Sequence, residues 1–172
     1  DEFKRYYHEI SVIISNTPNV DHLQPALHSA LLQFYSSLAG VRHASTRFVV
    51  KTRSDERFGN WGPFFASISA DPFKLHTVNA VVATEPYRHI SDHCFGSLRI
   101  LIEAALVQVV DYLSGAPAPA FEGLQGRTFA ESLIYEAFAL TASSAPFRRH
   151  NFLIGTRHDA RTMAQFVNLV AI

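Results

Sequence analysis

A chain of 172 residues with 48% apolar and 17% charged residues is long enough for one domain with a true core, and its low charge excludes an intrinsically disordered class. Basic and acidic residues cancel to zero net charge at pH 7, which excludes a global field drawing the protein onto nucleic acid or an anionic membrane. A single cysteine excludes an internal disulfide framework.

The chain carries 14 Phe, 6 Tyr and 1 Trp, more aromatic surface than its charge can cover. Either the core is large for the length or a partner covers part of it. Near-zero net charge does little to oppose self-association. Arg outnumbers Lys 12 to 3, and Arg is the better ligand for carboxylate, phosphate and aromatic faces, although a coding bias explains the excess as simply. No glycosylation sequon occurs, and the opening DEFKRYY lacks a signal-peptide core. The longest strongly apolar stretch, Ile100–Val110, is too short to span a bilayer and contains Glu103. A soluble, intracellular and most simply cytoplasmic protein is expected.

Tyr6–Ser15 is rich in β-branched residues and predicts a buried first strand ending at the turn signal NTPN. Asp21 with Gln24 has the pattern of a capping box, and Leu27, Leu31, Phe34, Tyr35 and Leu38 follow at helical spacing up to a stop at Gly40. Arg47–Arg53 predicts a second strand. Asp55–Phe65 is turn-rich, Ala66–Ala70 alternates, and Lys74–Pro86 alternates over a longer span. Together these predict an antiparallel meander from Arg47 to Pro86. Ser91 then opens the plainest helical stripe, with Phe95, Leu98, Ile102, Ala105, Leu106, Val109 and Leu113 on one face and further apolar residues beyond it. Ala116–Gly126 is a Pro/Ala/Gly linker, and Arg127–Ala145 is a further helix stopped by Pro146. Phe152–Ile154 is a candidate last strand, and Asp159 a candidate start for a terminal helix.

The expected fold is α+β: a mixed or antiparallel sheet of about four strands against several helices, including a long central apolar helix. A single domain over 1–172 is expected, divisible into a sheet with central helix (1–115) and a helical C-terminal part (127–172).

The stretch YRHISDHC (Tyr87–Cys94) concentrates the chemistry. His89 and His93 stand at i, i+4, the spacing of a metal pair on one helix face, with His76, His150 and His158 as candidates for a third ligand. No glutamate of the HExxH type lies between them. Capping explains the same residues differently: Ser91 serves as N-cap, Asp92 complements the helix dipole, and His89 falls outside the helix. No metal and no cofactor are therefore expected. Without a metal, His93 beside Asp92 or Glu85, with a hydroxyl from Tyr87 or Tyr112, forms an acid–base set, so His93, Asp92 and Tyr87 are the candidate catalytic residues. Cys94 at a helix start has the position of an activated thiol but no nucleophile motif around it, and reads better as a small buried residue.

Two stretches offer binding surfaces. Trp61, Phe64 and Phe65 lie in RFGNWGPFF, whose glycines lack phosphate-loop or dinucleotide spacing, so this is a hydrophobic lid or assembly surface. Arg148, Arg149, Arg157 and Arg161 cluster near Phe147 and Phe152, a pattern able to hold phosphate or an RNA backbone, although zero net charge argues against tight nucleic-acid binding.

The leading expectation is a protein-interaction or assembly domain that buries its aromatic surface against a copy of itself or another protein, or against a small apolar ligand. The second is a cofactor-independent lyase, isomerase or hydrolase using His93 as general base. The third is Arg-mediated binding of RNA or phosphate.

Overall fold

Helix α1 (Pro25–His43) begins where Gln24 takes extended backbone and Pro25 fills a first-turn position whose N–H no helical bond needs. Asp21 does not cap it. Asp21 lies in the preceding turn, where its N–H donates to Asn19 Oδ1 at 2.8 Å. Nor does Gly40 stop it: the helix runs on to His43, and Val41 extends the buried face of Leu31, Phe34 and Leu38 by one more turn. A glycine ends a helix by entering the left-handed region, and among the described residues only Gly115 has a positive φ.

The computed structural model describes residues 13–53, 55–56, 58–78, 80–82, 88–90, 93–115, 130–143 and 167–169. The expected first strand lies largely outside these residues. Its described end, Ile13 to Ser15, has no regular structure, and Ile14 is exposed.

Strand β1 (Phe48–Thr52) forms where expected, but the meander does not. It pairs antiparallel with β5 (Cys94–Leu98), from Phe48↔Leu98 to Thr52↔Cys94. Between them, Gly62–Ala70 folds as helix α2 instead of a turn and a strand. The alternation of Ala66–Ala70 suits either period. The four-residue spacing of Phe64 and Ile68 settles it, since both side chains reach the sheet from one helix face. The expected strand Lys74–Pro86 is likewise split. β2 (Leu75–Thr77) joins the main sheet, whereas β3 (Ala80–Val82) pairs antiparallel with β4 (Arg88–Ile90) in a separate ribbon.

The largest correction falls on the plainest helical stripe. Cys94–Leu98 is a strand, and helix α3 starts only at Arg99, ending at Leu113. Phe95 and Leu98 do fit a helical stripe, but β5 is the strand between β1 and β2 and is buried over its whole length. Ladder bonds on both edges outweigh the helical continuation. Ser91 lies outside the described residues and does not open this helix.

Helix α4 (Ala130–Ser143) falls inside the expected span. β6 (Val167–Leu169) pairs parallel to β2, so the chain near its end is strand where a terminal helix was expected. The linker 116–126 and the candidate strand 152–154 lie outside the described residues. The main sheet is thus mixed and four-stranded, in the order β1-β5-β2-β6. The α+β expectation holds.

The two faces of this sheet are covered unequally. On one, α1, α3 and α4 enclose a continuous core that includes Phe34, Phe95, Leu106, Tyr135 and Phe138. α3 is central, touching both other helices and burying residues around much of its circumference. The other face carries α2 alone, with Phe64 and Ile68 packed over Cys94. Gly96 is what lets α2 sit this close. A Cβ there would stand 2.8 Å from the Val49 carbonyl oxygen, 2.9 Å from Val50 Cγ2 and 3.1 Å from Ile68 Cδ1.

Candidate functional site

His93 enters β5 from an exposed position, and its Nδ1 contacts the carboxylate of Glu56, from the segment after β1. The pairing of β1 with β5 explains this meeting of distant residues, because Thr52 lies opposite Cys94. Glu56 is thus a carboxylate partner of His93 that the sequence reading did not name. Asp92 and Tyr87 lie outside the described residues, as do Glu85, Arg148, Arg149, Arg157 and Arg161. Tyr112 packs into the helical core. His89 lies in β4, opposite Val81, so it does not share a helical face with His93, and the geometry that made them a metal pair is gone.

His76, considered as a third metal ligand, is engaged on both ring nitrogens. Nε2 lies 2.8 Å from the Asp71 carbonyl, and Nδ1 lies 2.9 Å from Ser67 Oγ. A carbonyl only accepts, so Nε2 carries the proton and Nδ1 accepts from the Ser67 hydroxyl. Burial pushes the His76 pKa below its ordinary 6.5, against the opposing pull of the Asp71 carbonyl. The ring is a structural link between α2 and β2. Cys94 is fully buried, and desolvation pushes its thiol up to about 11. It is the inert core thiol that its context suggested. Among the described residues no three His, Cys, Asp or Glu side chains gather as a metal site.

The aromatic residues of RFGNWGPFF do form a cluster. Trp61 stands at the start of α2 and meets Phe58 edge-on at 5.2 Å and Phe64 edge-on at 5.9 Å, with Phe65 at 6.0 Å. Phe64 is buried completely and serves the fold, Trp61 is half-buried, and Phe65 is 51% exposed. The solvent-facing part of the cluster is therefore Trp61 and Phe65, with Phe64 beneath them. Phe48 and Val50 of β1 pack against this cluster, which places it beside the outer edge of the sheet.

That edge is the feature the sequence reading missed. β1 ends the order of the described strands, and a groove of about 550 Å³ runs between it and the C-terminal half of α1, lined in part by Ser37, Gly40, Val41 and Ala44. A second hollow of about 480 Å³, bounded by Gln33, Arg53 and Asp55, carries it further and shares Ser36, Ser37, Lys51 and Thr52 with the first. Small residues along SSLAGVRHA were the available signal, but only the strand order showed what they face. His93 and Glu56 line neither hollow. No described helix is long and apolar enough to cross a membrane.

Comparison of the chain with protein-family models, with curated proteins and with solved structures gives no match.

Proposed function

We propose that this protein is an interaction and assembly domain that docks a protein partner along β1 and against the aromatic cluster at the start of α2. The observation that carries this reading is the junction of three features on one side of the molecule. A strand edge with no partner strand among the described residues, a groove walled by small residues, and a half-exposed Trp61–Phe65 pair adjoin one another. An edge strand supplies main-chain hydrogen bonds to an incoming chain, and neighbouring aromatics supply the anchors that carry most binding energy. Sedimentation at micromolar concentrations, with Trp61 emission as a second readout, tests the reading. Concentration-dependent association that Phe65→Asp weakens is expected. A monomer whose Trp61 emission is constant over the whole range would overturn it.

A second reading rests on the His93–Glu56 contact. A carboxylate on one ring nitrogen orients a histidine to act as general base through the other. On this reading the protein is a cofactor-independent lyase, isomerase or hydrolase for a small apolar substrate. It expects His93→Gln and Glu56→Gln each to abolish turnover in a substrate screen without changing stability, and equal turnover in wild type and both variants would remove it.

A further inference from the structure

The hydrogen-bonding pattern of β1 restricts what can lie against it. Arg99 N–H donates to the Arg47 carbonyl at 2.9 Å, which sets the phase of the antiparallel ladder with β5. In such a ladder alternate residues turn their peptide groups to opposite edges. Val49 and Lys51 therefore bond β5, while Phe48, Val50 and Thr52 direct theirs outward. The Phe48 carbonyl is already met by the Thr46 hydroxyl at 2.8 Å. Among the described residues no strand pairs with the groups at Val50 and Thr52. The edge has no proline and no bulge, and its one charged residue, Lys51, holds its ammonium over the chain's own Phe95 ring, 5.7 Å from the centroid.

We propose that the occupant of this edge is a second copy of the chain, paired antiparallel through β1 about a two-fold axis at Val50, which joins the two four-stranded sheets into one. The inference rests on the assembly reading and names its partner. Outward-facing residues must meet outward-facing residues. The two-fold at Val50 satisfies this by setting Val50 against Val50 and Phe48 against Thr52 of the other copy, the self-complementarity that an isologous interface requires.

Charge favours the same arrangement. Lys51 then falls opposite Val49 of the second copy, whereas a parallel in-register pairing would set Lys51 against Lys51. Arg47 falls opposite Arg53, whose charge is already matched by Asp55 through contacts of 2.6 and 2.9 Å. Asp55 is largely exposed and, with its pKa drawn down to about 2 by Arg53, stays ionised and within reach of the incoming Arg47. The groove on the α1 side accommodates the second copy's Val49 and Lys51 side chains. Its wall demands no water, because the Ser36 and Ser37 hydroxyls both turn back to the Gln33 carbonyl, at 3.0 and 2.7 Å. A Cβ on Gly40 would meet nothing within 4 Å, so this wall has room that the fold leaves unfilled.

Cysteine crosslinking of the full chain tests the register. Directly facing residues in a hydrogen-bonded antiparallel pair have Cα atoms about 5.5 Å apart, inside the disulfide range. The two Thr52 positions would be about 14 Å apart, outside it. Val50→Cys is expected to give an oxidised homodimer on the order of tenfold faster, or more, than Thr52→Cys. Thr52→Cys is expected to crosslink efficiently only when mixed with Phe48→Cys. All variants are made in a Cys94→Ala background, because Thr52 lies opposite Cys94 in the β1–β5 ladder and a cysteine there would otherwise bridge within the chain. Gly40→Leu, which places a side chain at the groove wall from a Cβ that meets nothing within 4 Å, is expected to be monomeric in sedimentation where the wild type is a dimer. If the wild type dimerises but Val50→Cys crosslinks no faster than Thr52→Cys, the edge pairing is overturned and the assembly reading stands. If the wild type is a monomer throughout and binds no copy of itself, both fall.

Discussion

The two faces of the main sheet divide the labour of the molecule. On the helical face, α1, α3 and α4 bury long apolar side chains in one continuous core around Leu106, Tyr135 and Phe138. On the other, a nine-residue helix buries Phe64 and Ile68 and leaves Trp61 and Phe65 partly in solvent. Hydrophobic stabilisation scales with apolar area removed from water, so the helical face carries most of the fold. The thin face has less to lose and more surface to offer, which is where interaction sites are expected.

The largest effect should come from cutting into the thick face. Phe138→Ala removes a fully buried ring between α3 and α4 and is expected to cost about 3–5 kcal/mol in urea unfolding. A loss comparable to that of a surface substitution would break the contrast between the faces. Next is Gly96→Ala, which forces the α2 side to give way against a backbone oxygen and two methyl groups. About 1–3 kcal/mol is expected, with a change in Trp61 emission as α2 lifts, and an unchanged spectrum would show that α2 does not depend on this close approach.

A smaller, pH-dependent effect comes from His76, which links α2 to the sheet. Its pKa is lowered in the folded state, so above 6.5 both states leave the ring neutral and the stability is fully present. Below 6.5 the unfolded chain takes up the proton first, and stability falls with pH until the folded-state value is passed. His76→Gln should flatten that slope; a slope unchanged in the variant would assign it to another group. The smallest effect on stability is expected from Phe65→Ser, within about 0.5 kcal/mol, because the side chain is half in solvent. Its effect on association should be larger than its effect on folding, and the reverse order would make Phe65 a core residue.

The chemistry of YRHISDHC shows how much of the site was legible. Cys94 was read as a buried, unreactive thiol from its lack of motif context, and burial agrees. His93 was singled out, and Glu56, far from it in sequence and brought to it by strand pairing, is a partner the sequence reading did not name. No local pattern encodes such a meeting. His76 was weighed as a metal ligand and proved to be committed to Ser67 and Asp71, one from α2 and one from the turn leading into β2.

What the amino-acid sequence determined by itself was class and composition: an α+β chain with an apolar α3 at its centre, helices at Pro25–His43 and Ala130–Ser143 close to where the 3.6-residue period put them, and an aromatic cluster around Trp61. These follow from period and side-chain chemistry, which are local. Only the tertiary structure decided that Cys94–Leu98 is a strand, that Gly62–Ala70 is a helix, and that β1 ends the order of the described strands. Each of those segments suits more than one period. The deciding free energy came from residues distant in the chain: ladder bonds to β1 and β2 for the first, the packing of Phe64 and Ile68 over Cys94 for the second. The edge at Val50, which no described strand covers, is likewise a property of strand order alone.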